Sequence, residues 1–410
     1  MTNKEPTIHT LPNGLRVVYL HDDAIVSHLG VTILGGSRFE QAGEDGLAHF
    51  LEHCIFKGTT RRKSFHVLSR LDSVGGELNA YTTKEEICIY GSFSAEHLDR
   101  AAELLYDITF NSTFPEKEIE KEKEIILDEL NSYLDSPSDK IFDDFEALLF
   151  PDHSLGYNIL GTRESVMAFT RQHLLDYVQR FFYPKNMVVS FVGDIPEDKV
   201  VAKIAKYFSL NNHHVEKAIP SPAKTYKAKK IRTKEANYQA HIVLGGIAPG
   251  YNDAHRRVFT LIINMLGGPA LNSRLVLSIR EKYGYSYSVE ANYTPYQEVG
   301  YWNVYAGTDK KYINKTIKLI YKELELFRTK KLTEQQLKKA KVQLKGHIAL
   351  GMDSNSSLML GYGKSLLVFD QIDTLEEVHK AIDEITVEEI YEIANMYFAP
   401  ETITELVFDF

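Results

Sequence analysis

The sequence has 410 residues, too many for one ordinary hydrophobic core, so two domains or more are expected. Apolar residues make up 44% and charged residues 25%, which excludes a disordered chain, and the formal net charge of −9 argues against a nucleic-acid binder. No segment approaches the roughly eighteen uninterrupted apolar residues of a membrane span, and no basic start with an apolar run marks a secretory signal. With only Cys54 and Cys88 there is neither a disulfide framework nor a thiolate metal site, and a reducing cytoplasm is the expected location.

The first elements read as strands. Pro12-Asn13-Gly14 is a turn signal between Ile8–Leu11 and the alternating segment Leu15–Leu20, and a further strand covers Leu29–Leu34. At Gly46–Phe56 (GLAHFLEHCIF) the period becomes helical, with Leu47, Phe50, Leu51 and Cys54 at core positions. Ser64–Val74 is a second predicted helix. Gly75-Gly76 then leads into strands Glu77–Thr83 and Ile87–Phe93, and Ser94 is placed to cap the next helix. Helices follow at His97–Phe110, Glu116–Leu134, Lys140–Phe150 and near Gln172–Phe182, and a strand at Asn186–Val192 closes the half.

Polar Asn211–Lys234, with Pro220 and Pro222, is the expected linker between a domain of residues 1–210 and one of residues 235–410. Its basic run, Lys224 to Lys234, reads as a solvated linker or strand entry rather than a polyanion site, and His213-His214 as a solvated pair. The second half repeats the first. Phe181–Val189 aligns with Tyr397–Glu405 at an offset of 216, and Phe114-Pro115-Glu116 aligns with Leu332-Thr333-Glu334 at 218. The expected fold is therefore α+β: two homologous domains from an internal duplication, each an antiparallel sheet backed by helices. Under the second offset Glu122 and Glu129 fall on Ala340 and His347, so the chemistry is expected in the first half.

That chemistry is carried by His49-Phe50-Leu51-Glu52-His53. On a helix, residues i and i+4 share a face, so two imidazoles converge on one ion while Glu52 stays free beside them. Zinc held by two imidazoles and a carboxylate keeps an open position for water, and a neighbouring carboxylate can move that water's proton to a leaving amine. Composition alone gives such a motif in roughly one sequence of this kind in twenty, so a third ligand is needed to make the case. Glu122 and Glu129, seven apart on one face of the predicted helix Glu116–Leu134, are acids able to supply it.

HFLEH followed by Phe56-Lys57-Gly58-Thr59 resembles the pitrilysin family of inverzincins. That resemblance implies a zinc metalloendopeptidase with one zinc per chain. It makes His49, His53 and Glu129 the ligands, Glu129 standing 76 residues past His53; Glu52 becomes the general base and Glu122 the acid supporting the site. The stretch Gly75–Thr82 resembles the family's edge strand for an extended peptide, which implies substrate contacts at Glu77, Asn79 and Ala80. Arg280 and Tyr287, seven apart in a second family signature, are implied to reach the substrate from the second domain; Tyr285 is the competing tyrosine. His153–Thr162 (HSLGYNILGT) belongs to the same likeness.

The family further implies a homodimer closing as a clamshell around unfolded peptides, while charge and hydropathy argue against a nucleic-acid or membrane partner. The alternatives are a presequence-processing peptidase and a non-enzymatic partner subunit. Cys54, where relatives carry larger apolar side chains, reads as a small buried thiol.

Overall fold

The structure, a computed structural model, describes residues 5–209, 226–235 and 238–410. His213 and His214, and most of the expected linker, lie outside the described residues. Eleven strands are found among those described. They are β1 (Thr7–Thr10), β2 (Arg16–His21), β3 (Val26–Leu34), β4 (Glu77–Thr82), β5 (Glu86–Ser94), β6 (Met187–Gly193), β7 (Lys230–Lys234), β8 (Ala240–Pro249), β9 (Ser286–Pro295), β10 (Val299–Thr308) and β11 (Thr404–Asp409). They form two sheets, ordered β1-β2-β6-β3-β5-β4 and β7-β11-β8-β10-β9.

The duplication is written in that order. From β2 onward, each strand of the first sheet has a counterpart at the same place in the second. Each sheet also carries one parallel pair, β2 with β6 and β7 with β11, all other pairs being antiparallel. The sheets are thus mixed rather than purely antiparallel as expected. A long helical excursion precedes β6 and β11, and it lets each return beside an early strand in the same direction. The basic run ends in β7, so the linker expected to reach Lys234 stops earlier. As an edge strand β7 leaves its cations largely in solvent, with Arg232 Nη2 2.9 Å from Asp409.

The described residues fall into two compact units that do not follow a single cut in the chain. The first takes them from Met1–Asn131, Tyr157–Ser221 and Gly351–Ile372, the second from Ser132–Gly156, Pro222–Leu350 and Asp373–Phe410. In the first unit, helix Asn355–Phe369, from late in the sequence, packs on β3 and β6. The fit is close: a Cβ on Gly363 would lie 2.5 Å from Thr32 Oγ1 and 2.7 Å from Ser190 Oγ. With both faces covered, β6 is buried along its whole length and shows no polar alternation.

In the second unit, helix Pro137–Leu149, from early in the sequence, packs on β8 and β11. There Ile141, Phe145 and Leu149 join Val243, Tyr301, Leu406 and Phe408 in one apolar cluster. The opposite face of that sheet carries the larger core, centred on Trp302, Phe259 and Ile320.

Helix boundaries follow the periodicity closely, with Leu47–Ile55, Ser64–Asp72, Leu98–Phe110, Glu116–Leu134 and Arg171–Phe181 observed. Helix Glu197–Phe208, absent from the sequence reading, packs against helix Leu98–Phe110 and β2. Ser94 precedes a 3-10 turn, Ala95–His97, and its side chain makes no capping bond. None of the described helices is long and apolar enough to cross a membrane.

Candidate metal centre

The motif helix Leu47–Ile55 buries Leu47, Phe50, Leu51, Cys54 and Ile55, which turns His49, Glu52 and His53 toward one side. Its start is fixed from two directions. Gly46 adopts φ 91°, and a Cβ there would lie 2.6 Å from the Leu160 carbonyl, so the segment HSLGYNILGT closes directly on the helix N-terminus. Glu40 supplies the cap: its two carboxyl oxygens accept from Gly46 N at 3.0 Å and Ala48 N at 2.8 Å. Burial raises the Glu40 pKa to about 8, against the pull of those two amides. The sequence reading passed over Glu40; an acid shortly before a helix that opens on glycine is the signal for it.

Helix Glu116–Leu134 presents Glu122 and Glu129 to the motif helix. Glu129 Oε2 lies 3.5 Å from His53 Nε2 and 3.9 Å from His49 Nε2, and the imidazole centroids are 4.7 Å apart. One donor atom from each of the three residues lies within 4.8 Å of the others. Glu122, with its side chain 4% exposed, stands behind. Its Oε2 is 3.2 Å from His53 Nδ1 and its Oε1 2.7 Å from Lys57 Nζ. Lys57 belongs to FKGT, which the sequence reading quoted without giving any of its residues a role.

These donors fit a zinc ion. Burial, reinforced by the charge of His53, lowers the His49 pKa to about 4, so this imidazole is neutral near pH 7 with a lone pair to give. Its 3.9 Å spacing from Glu129 is therefore the spacing of two ligands about a shared point rather than an ion pair. Ligand bonds of about 2.0–2.1 Å set tetrahedral donors about 3.3 Å apart, near the separations found. With Glu122 occupying His53 Nδ1, Nε2 remains as the ligating nitrogen, the carboxylate–histidine support usual for metal sites.

Glu52 is not among the three donors. Its pKa is raised chiefly by burial, with Thr82 and His53 opposing and Glu129 adding to the shift. Thr82 ends β4, an edge strand paired only with β5 among the described residues, through Glu77↔Ser92, Asn79↔Tyr90 and Ala80↔Ile89. Strand alternation puts Ala80 on the face of Thr82, toward the motif helix, while Glu77 and Asn79 are exposed.

Arg280 and Tyr287 belong to the second unit. Arg280 lies in a π-helical turn, Val276–Glu281, with Nε 3.4 Å from Glu281, and Tyr287 on β9 is 86% exposed. Tyr285 instead stacks on Tyr283 and Tyr312, at centroid distances of 5.2 and 4.4 Å, so of the two tyrosines Tyr287 has the unengaged ring. Both clusters of three possible metal donors among the described residues lie in the first unit. The second of them, His21, Asp23 and Asp194, is exposed at strand ends.

Residues 16–163 match the family described as insulinase (peptidase family M16), and residues 168–344 match the peptidase M16 inactive domain. The chain belongs to peptidase family M16. Likeness to proteins named zinc proteases extends over nearly the whole chain. The uncharacterized zinc protease YmxG of Bacillus subtilis is 32% identical over 402 residues, covering 97% of each chain. An uncharacterized zinc protease of Mycobacterium leprae is 34% identical over 392 residues, 94% of this chain and 88% of that one. A crystal structure of a protease from Helicobacter pylori shares the fold, with a TM-score of 0.91 at 22% identity over 99% of both chains. So does a peptidase M16 inactive domain from Pseudomonas fluorescens, with a TM-score of 0.91 at 18% identity over 99% of this chain.

Proposed function

We propose that this M16 chain is a zinc-dependent endopeptidase, binding one zinc per chain and hydrolysing unfolded peptides in the cytoplasm. The observation that carries the reading is the convergence of His49, His53 and Glu129, with Glu52 beside them and Glu122 fixing His53 from behind. The names of the relatives support a zinc protease.

Zinc, when bound by His49, His53 and Glu129, supplies a Lewis acid that polarises the scissile carbonyl and eases deprotonation of water. Everything else falls to the chain. The peptide lies along the open edge of β4 as an added strand, so main-chain bonds hold many sequences while Glu77, Asn79 and Ala80 meet its side chains. Glu52 takes a proton from the attacking water on its carboxylate and delivers it to the leaving nitrogen. Burial raises its pKa, which makes the carboxylate a stronger base toward that proton. Glu122 keeps the His53 ring in one tautomer and orientation.

Two chains pair as a clamshell in this reading. Arg280 then holds a substrate carbonyl of the partner's site and Tyr287 donates to the developing oxyanion. A non-enzymatic partner role is the second reading. It draws on the match of residues 168–344 to a domain described as inactive.

Metal content and hydrolysis of a quenched unstructured peptide, compared for wild type and Glu52→Gln, test the proposal. Stoichiometric zinc in both with hydrolysis only by wild type is expected. Zinc without hydrolysis of any peptide supports the partner role, and absence of zinc binding overturns the metal assignment.

A further inference from the structure

The second unit carries positive charge that the metal chemistry does not use. Its helices Ile313–Thr329 and Glu334–Gly351 are rich in lysine, and several cations on and between them meet acids. Lys331 Nζ is 2.9 Å from Glu388 Oε1, and Lys345 Nζ is 2.8 Å from Asp383 Oδ1. Lys315, Lys318 and Lys322 do not. All three are exposed and make no ion pair among the described residues, though the field of Glu323 reaches Lys322. Spaced three and four apart on helix Ile313–Thr329, they stand in one row about 10 Å long.

That row lines a groove of about 630 Å³ that lies wholly in this unit. Glu325 is the one acid among the described lining residues, and its Oε2 is 2.9 Å from Arg328 Nη1, so its charge is already matched. Tyr283 and Tyr285 line the groove as well. With Tyr312 they form a run of nearly parallel rings, at interplanar angles of 18° and 21°, and Lys315 Nζ is 5.6 Å from the centroids of both Tyr285 and Tyr312. Leu319 and Pro400 add apolar surface. The groove thus joins accessible, unmatched cations to an aromatic wall.

The geometry points to a docking groove for an acidic, extended peptide segment, its carboxylates on the lysine row and an apolar or aromatic side chain against the tyrosines. In an extended chain alternate side chains share a face about 7 Å apart, so two acids separated by one residue fit within the row. Lysine supplies single mobile charges along the row, not the fork that grips one compact dianion. A nucleic-acid strand offers bases to the tyrosines too, but it brings a charge on every nucleotide toward a chain of net charge −9. A peptide needs acids only where the lysines stand. A neutral peptide gains nothing from the row, and a cationic one is repelled by it.

Fluorescence anisotropy at low ionic strength, with the Glu52→Gln chain so that no peptide is cut, tests this. The probe is a labelled eight-residue peptide with glutamate at alternate positions, serine between them and a terminal tyrosine; its control has glutamine for each glutamate. Exposed ion pairs to three lysines predict a preference of about tenfold for the acidic peptide. Lys315→Gln, Lys318→Gln and Lys322→Gln together are expected to abolish that preference. Lys330→Gln, Lys338→Gln and Lys339→Gln together remove as much charge from exposed lysines nearby and are expected to keep it, with circular dichroism as in wild type for both. No preference, equal loss in the two triple variants, or a single-stranded oligothymidylate bound more tightly than the acidic peptide overturns the docking site. If the first triple variant does not fold, Lys318→Gln alone, expected to lower the preference about twofold, decides. Because the readout is binding by a chain that cannot cut, the result stands apart from the peptidase reading.

Discussion

Glu122→Gln removes one negative charge from a carboxylate that touches two groups, Lys57 Nζ at 2.7 Å and His53 Nδ1 at 3.2 Å. The glutamine has one oxygen and one NH2 where the carboxylate had two acceptors, so one of the two partners loses its bond. If His53 loses it, the ring is no longer held with Nε2 toward His49 and Glu129. Loss of such support costs about 10–100-fold in metal affinity, or about 1.4–2.7 kcal/mol.

A second cost falls on folding. Lys57 keeps its charge beside a neutral amide, worth about 1–3 kcal/mol for a buried group. The lower end is expected because its side chain is 24% exposed and the ammonium can turn to water. Zinc affinity is measured by competition with a chromophoric chelator, and stability by urea unfolding of the metal-free protein. Affinity within twofold of wild type would refute the argument that Glu122 orients His53. Loss of all measurable zinc binding in a folded variant would instead make Glu122 a ligand.

The other predictions concern burial and packing. Glu40 has a pKa raised to about 8 from a usual value of 4.5, so the native state holds its proton more tightly than the unfolded state. Its contribution to stability is complete below pH 4.5 and declines as pH rises to about 8, by up to about 1.4 kcal/mol per unit. Glu40→Gln should flatten that decline in chemical denaturation between pH 5 and 8, and an unchanged slope counts against a buried acidic cap. Burial pushes both thiols up, Cys88 to about 12, so an aromatic disulfide reagent should modify neither in the native protein and both in denaturant. Rapid native labelling of Cys54 would show that it is accessible. Gly363→Ala forces a methyl against Thr32 and Ser190 and should cost about 1–3 kcal/mol in thermal or chemical unfolding, where a neutral result would mean the helix shifts freely.

Much of the candidate site was legible because its expected donors sit on helices with fixed spacings. His49, Glu52 and His53 are set by one turn of one helix, and the family spacing to Glu129 selected it over Glu122. Lys57 and Glu40 were not legible as partners, since a lysine and an acid near a helix are common and only the fold brings them to Glu122 and to Gly46. The strands of the first half were placed from the sequence, but strand direction leaves no local mark; the parallel pairs β2–β6 and β7–β11 had to be seen. Periodicity likewise gave a helix near residue 140 without saying which sheet it covers. The partner of an apolar face is a tertiary choice.

The exchanged helices set terms for how the chain can be made and divided. The first sheet receives its cover only when residues Asn355–Phe369 have left the ribosome, so the metal-binding unit stays unfinished until about nine-tenths of the chain exists. A gene cut within the expected linker would yield two fragments, each lacking a helix its own sheet requires and carrying one it cannot use. Such fragments are expected to aggregate when expressed singly and to regain zinc binding only when produced together. The two units are a legacy of duplication, but as folding partners they are one inheritance that cannot be split.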